Sequence, residues 1–440
     1  MSSELLNTYP KYDSYKESGG DWLGDIPESW STEKGKWLFT KMDRPIREDD
    51  GIITCFRDGE VTLRSNRRSE GFTNALKEHG YQGIREGDLV IHQMDAFAGA
   101  IGVSDSNGKS TPVYSVCTPR KSNTVLPEYY SYLLRNLAFS GYILSLAKGI
   151  RERSTDFRFN DFAKLNLPLP SIEMQRNIVT FIEHKSNEID QAIELKQQQI
   201  EKLNEYKQIV IQNAVTKGLD PNAKMKDSRI NWLGDIPETW DIKKLKFLTS
   251  KIGSGVTPSG GATTYIDDGV PLLRSQNIHF NGISLDNVAR ISESVHNSMS
   301  NSKVKKGDVL LNITGGSLGR CYHNSLDIEM NVNQHVCIVR PNDKVDSVFL
   351  NYLLASNIGQ QQIWFFQQGG GREGLNFQNL KNFDFPLPSK SEQLILVKHI
   401  DGQVNIVNKA INSQKEQIER LKEYKTILIN QAVTGKIKVS

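Results

Sequence analysis

"DWLGDIPESW" occupies residues 21–30 and "NWLGDIPETW" residues 231–240, with eight of ten positions identical. The match continues along the chain. "IREGDLVIHQM" (84–94) aligns with "VKKGDVLLNIT" (304–314), and "YSYLLRN" (130–136) with "LNYLLAS" (350–356). "LPLPS" (167–171) aligns with "FPLPS" (385–389), and "QIEKLNEYK" (199–207) with "QIERLKEYK" (417–425). The chain is therefore two copies of one unit of about 215 residues, a period that means duplicated domains rather than a solenoid.

At 440 residues there is room for two or more cores. Fifty-four Lys and Arg face 51 Asp and Glu, so any nucleic-acid surface has to be local. Four cysteines without a CxxC are too sparse for a disulfide framework and suit a reducing cytosol. Residues 1–20 lack the apolar stretch of a signal peptide, and no run approaches eighteen apolar residues. The expected location is the cytoplasm.

Within each copy the texture changes once. Short apolar runs, such as "GDLVIHQ" and "GDVLLNI", read as buried strands after a turn. "PEYYSYLLRNLAFSGYILSLA" (127–147) reads as one amphipathic helix. After "PLPS", Pro and Gly almost vanish for about forty residues, which predicts long helices with Ser171 and Ser389 as N-caps and Glu173 and Glu392 in the first turns. Apolar residues fall there on a 3.5-residue repeat, at seven of ten and eight of ten seam positions over five heptads. The first seam runs through Ile182, Ile189, Ile193, Ile200, Leu203 and Val210, the second through Ile400, Val407, Ile411, Ile418, Leu421 and Leu428. Such seams belong to a coiled coil. Two similar seams in one chain pair most simply with each other, antiparallel, with one head at each end. The expected fold is α/β: two globular α/β domains separated by two long antiparallel helices forming a coiled coil, an internal tandem repeat with pseudo-twofold symmetry. The expected boundaries are 1–171 and 218–389 for the heads, 172–217 and 390–440 for the helices. The four repeated tryptophans, Trp22, Trp30, Trp232 and Trp240, read as core anchors.

Catalytic motifs are missing. A P-loop ending at Gly108-Lys109-Ser110 has Val103 where the first Gly belongs, and "GSGVTPSGG" (253–261) breaks GxGxxG with Pro258. HExxH, GxSxG and the loops of an adenine methyltransferase do not occur. Cys321, His323, His335 and Cys337 offer zinc-type ligands, but the other copy has Ile101, Val103, Ser115 and Cys117 there. These read instead as alternating residues on two paired strands, with no metal expected.

Basic and amide side chains cluster locally. The first copy has Arg57, Arg64, Arg67 and Arg68, then Gln93, then Lys148, Arg151 and Arg153. The second has Arg274, Gln276 and Asn277, then Lys305, Arg320 and Arg372. Arg reads guanine and Asn or Gln reads adenine in the major groove, while Lys and Arg hold phosphates. The two copies differ here while their frames agree, which is where two different ligands are told apart.

"YKESGGDWLGDIPESW", "GSGVTPSGG", "TGGSLGR", "PLPS…EQ", "AVTKGLD" and "AVTGKI" together resemble the specificity subunit of type I restriction–modification systems, over essentially the whole chain. The resemblance implies that each head is a target-recognition domain for half of a bipartite double-stranded DNA site. It implies that the helices set the spacer and dock two methyltransferase subunits, and that restriction subunits can join. It also implies no catalysis and no cofactor in this chain, with S-adenosylmethionine, ATP and Mg in the partner subunits. The first head departs from the second, with "RDGEVTLRSNRRSEG" in place of "GSGVTPSGG…LLRSQN". A self-contained methyltransferase or nuclease, and a coiled-coil adaptor that binds no DNA, are the alternatives.

Overall fold

A computed structural model describes residues 9–67, 80–146, 156–367 and 374–439. The chain forms two compact units, Met1–Gln197 with Lys415–Ser440, and Gln198–Gln414. The observed class is the expected one: a mixed α/β head in each unit, repeated in tandem, with long helices that pair antiparallel.

In the first unit the repeated segment opens a hairpin, Tyr15–Glu17 against Asp25–Pro27, and Trp30 is buried behind it. The main sheet is antiparallel, in the order Phe39–Met42, Tyr114–Pro119, Leu89–His92, Ile101–Val103. Its side chains alternate between two cores. Leu89, Ile91, Ile101 and Cys117 face the larger core, and Val90, Val116 and Tyr114 the smaller. A sheet covered on both faces needs a continuous apolar run, which is why "LVI" does not alternate with polar residues. Helix Pro127–Phe139 packs Tyr129, Tyr130, Leu133, Leu134 and Leu137 onto the larger core. The single helix expected over 127–147 is broken: Gly141 has φ +79°, a left-handed turn that separates it from Tyr142–Leu146.

The first long helix, Ile172–Lys217, has no Gly or Pro and starts at the expected cap, where Ser171 Oγ accepts the Met174 N–H at 3.2 Å. In the first unit, Asp190 meets Lys425 at 2.7 Å and Lys196 meets Gln417. One number rises as the other falls, so the helices run antiparallel. The second long helix, Lys390–Val433, ends short of the expected 440. Leu428, Ala432, Val433, Ile437 and Val439 instead close the first unit's core. Tyr129 Oη donates to the Val433 carbonyl at 2.8 Å, and Lys438 N–H donates to the Pro10 carbonyl at 2.7 Å.

The second unit repeats the frame. Its hairpin is Met225–Asp227 with Asp235–Pro237, and its sheet runs Thr249–Ser254, Val336–Pro341, Val309–Asn312, Cys321–His323. Val309 and Leu311 face one core and Leu310 the other, as in the first sheet. Ser389 Oγ caps the second long helix through Glu392 N–H at 3.3 Å, and Lys207 reaches Asn408 across the helix pair at 3.3 Å. None of the twelve seam residues is exposed; Ile182, Ile189, Ile400, Val407, Ile411, Ile418 and Leu428 are buried, and the others half-buried.

The turns before the central strands share one device. Asp88 accepts the Arg85 N–H and Asp308 the Lys305 N–H, each at 2.7 Å. Each buried carboxylate also binds an arginine bidentately, but Arg44 in the first unit follows strand Phe39–Met42, whereas Arg340 in the second lies on strand Val336–Pro341. A buried carboxylate left unpaired is costly, so the acid is retained and the cation is supplied from whichever segment reaches it. Among the described residues no helix is long and apolar enough to cross a membrane.

Candidate nucleic-acid interface

In the first head, three of the expected arginines converge. Arg57, Arg67, His92, Asp95, Tyr114 and Phe56 line an open cleft of about 370 Å³, and Arg64 lies beside it, its Nε donating to Thr54 Oγ1 at 3.2 Å. Arg67 stacks on Phe56, 4.2 Å from the ring centre, and reaches Asp58 at 2.7 Å and Glu60 at 2.9 Å. Arg57 meets Asp95 at 2.7 Å. These are exposed or partly exposed pairs, each worth roughly 0–1 kcal/mol. A phosphate or a guanine edge can therefore displace a carboxylate at small cost. Burial would raise the Asp58 pKa, but the Glu60 N–H and Arg67 hold it below the ordinary value.

His92 and Asp95 escaped the sequence reading. The Asp95 N–H donates to His92 Nδ1 at 3.1 Å, and the ring meets Tyr114 edge-on at 4.7 Å. Burial pushes the imidazole pKa down, and because Nδ1 accepts, the ring proton sits on Nε2. Gln93 is next to it, its Nε2 3.4 Å from Ser115 Oγ. Gln93 O accepts the Phe157 N–H at 3.0 Å, as Ile313 O accepts the Leu375 N–H at 2.9 Å in the second head. The frame is the same and the side chains on it are different.

In the second head, Arg274 leads into the turn Ser275–Asn277, which carries Gln276, and Asn312 Nδ2 donates to the Ser275 carbonyl at 2.8 Å. Arg320 is joined to Asn312 through its own carbonyl at 2.8 Å. Arg274, Gln276 and Arg320 thus gather at one end of strand Val309–Asn312. Arg274 lies over Tyr265, 5.7 Å from the ring centre, with Nε buried and unpartnered among the described residues. Asn277 is buried with its amide committed to its own loop, bonding Arg274 N–H at 3.0 Å and Ser284 O at 3.1 Å. Lys305 is exposed at the opposite end of the strand and does not join the group. Arg68, Lys148, Arg151, Arg153 and Arg372 lie outside the described residues. Thr257, Thr314, Gln334 and His335 form a polar cluster beside this turn that the sequence reading missed.

The zinc-type residues are placed differently from the expected pair of strands. Cys321 and Cys337 stand on strands that each pair with Leu311, one on either side, not with each other. Both thiols are fully buried, and burial pushes their pKa up, away from the thiolate a metal needs. Among the described residues no three His, Cys, Asp or Glu side chains converge. Trp30 and Trp240 are core residues as expected, whereas Trp22 and Trp232 are half-buried at the rim. Each rim indole N–H is buried without a partner among the described residues.

Residues 237–420 match the family model described as type I restriction modification DNA specificity domain. The chain is 27% identical over 364 residues to the type I restriction enzyme MjaVIII specificity subunit of Methanocaldococcus jannaschii, covering 81% of this chain and 80% of that one. It is 28% identical over 268 residues to the EcoBI specificity subunit of Escherichia coli, covering 58% and 55%. Among solved structures, a chain from a study of complex assembly and conformational transition of the type I R-M system aligns with a TM-score of 0.68 at 16% identity, covering 93% and 98%. The HsdS subunit from Thermoanaerobacter tengcongensis aligns with a TM-score of 0.53 at 16% identity, covering 94% and 98%. These structural likenesses bear on the fold.

Proposed function

We propose, from the premise that this chain belongs to the type I restriction–modification specificity-subunit family, that each head reads one half of a bipartite double-stranded DNA target. Specificity subunits are non-catalytic themselves. In this reading the long helices set the spacer between half-sites and dock two methyltransferase subunits, and restriction subunits join that complex. S-adenosylmethionine, ATP and Mg enter with those partners, and the complex works in the cytoplasm.

The observation that carries this reading is one frame with two sets of reading side chains. The sheets share an order and a register of packing, while the turns beside their central strands carry Arg57, Arg64 and Arg67 in one head and Arg274, Gln276 and Arg320 in the other. A duplicated scaffold that keeps its core and varies its loops suits two different ligands of one chemical class.

Replacing Arg57, Arg64 and Arg67 together by alanine should relax recognition of one half-site and leave the other intact. Each lost bidentate base contact is worth about 1–3 kcal/mol of discrimination, and each lost phosphate contact weakens binding without changing sequence preference. The measurement is methylation-site sequencing with the methyltransferase subunit, on targets altered in each half. A triple variant with unchanged sites and rates would make the cleft an ordinary solvated surface.

A further inference from the structure

The loop containing "GSGVTPS" meets residues 332–335 just before strand Val336–Pro341. Gly255 makes the approach possible: a Cβ there would lie 1.6 Å from the Val332 carbonyl oxygen. The approach brings the Thr257 hydroxyl onto Gln334, donating to Oε1. On its other side, Gln334 Nε2 lies 3.0 Å from His335 Nε2. An amide nitrogen only donates, so His335 Nε2 accepts. The ring proton is then on Nδ1, which faces Thr314 Oγ1 at 2.7 Å. The backbone is held as well: Asn333 Oδ1 accepts the His335 N–H at 3.1 Å, and the His335 carbonyl accepts the Ile313 N–H at 3.0 Å.

Gln334 is exposed, yet its amide is held from both ends. Thr257 fixes which end is oxygen and His335 which is nitrogen. One N–H and one oxygen lone pair remain, with oxygen and nitrogen in fixed order. Adenine presents the complementary pair in the major groove, an N6–H donor beside the N7 acceptor. Ordering a long, exposed side chain opposes folding, so the restraint calls for another use. The site also adjoins the arginine turn, since Asn333 N–H donates to the Leu273 carbonyl at 3.0 Å, one residue before Arg274.

We propose that Gln334 reads an adenine in the half-site of the second head, with Thr257 and His335 as positioning residues. This rests on the DNA-reading function proposed above. The test uses the full chain assembled with its methyltransferase subunit, and methylation-site sequencing as the readout. With Gln334→Ala, one position of one half-site should lose its adenine preference by about 5- to 150-fold, all other positions being kept. Gln334→Glu replaces the donor by an acceptor, and that position should shift toward cytosine, whose N4 amine donates. Thr257→Val should relax the same position, and Thr257→Ser should restore it. The proposal is overturned if Gln334→Ala keeps the wild-type site, or slows methylation equally on every sequence. If the wild-type complex methylates without a defined sequence, the DNA-reading function itself fails.

Discussion

Replacing Trp240 by alanine should destabilise the second unit by about 3–5 kcal/mol. The indole is fully buried among Leu245, Phe385 and Ile236, and its Nε1 donates to Glu392 Oε1 at 3.0 Å. Alanine leaves a cavity and deprives Glu392 of its donor. Against a typical total of about 5–15 kcal/mol, this is a large share. Trp240→Phe retains most of the ring volume and should cost less. The first unit lacks the same bond, because Met174 stands where the second has Glu392. Tyr12 instead packs edge-on against Trp30, with ring centres 5.9 Å apart, and donates to Met174 Sδ at 3.4 Å. Urea unfolding of Trp240→Ala beside Trp30→Ala measures both anchors. A change below about 1 kcal/mol in either would mean that the repeated segment does not anchor its core.

Adding one heptad to both long helices, after Gln197 and after Gln414, should change the spacer between the half-sites and neither half-site sequence. These positions lie at the divide between the two units. Seven residues preserve the seam and add about 10 Å at 1.5 Å per residue. DNA rises about 3.4 Å per base pair, so the preferred spacer should grow by about three pairs. Three pairs also rotate the second half-site by roughly 100°. Bent or twisted DNA can absorb part of that at about 1–6 kcal/mol, so a smaller change accompanied by weaker binding is also within the expectation. Sequencing the sites methylated by the lengthened protein measures the gap. An unchanged spacer at full activity would remove the helices as the ruler.

Local regularities were legible in the sequence, and long-range pairings were not. The helices could be read because their spacing of three and four persists over five heptads, with Ser171 and Ser389 at the caps. The runs around Leu89–His92 and Val309–Asn312 could be read because sheets covered on both faces need unbroken apolar stretches. The break at Gly141 was missed because a glycine in an apolar pattern does not reveal its φ. Reading the arginines alone hid Asp58, Glu60 and Asp95, which nearly balance their charge. Thr257 and Gln334 are 77 residues apart, and only the register of distant strands joins them. The zinc-type residues looked paired because period-two alternation does not say which strand lies between.

The first unit is built from segments separated by the whole of the second. Residues 428–439 form part of its core wall, bonded to Tyr129 and Pro10. The second unit, Gln198–Gln414, is contiguous. On a ribosome adding about 5–20 residues per second, those residues alone take roughly 10–40 s to emerge. The usual N-terminal-first order of maturation is thereby inverted: the head translated first waits with an open core while the head translated second has every residue it needs. Ribosome-arrested chains from which residues up to about 414 have emerged, if digested with protease, should yield a protected second unit and an unprotected first. A nonsense codon in the final helix would accordingly silence the head encoded at the opposite end of the message.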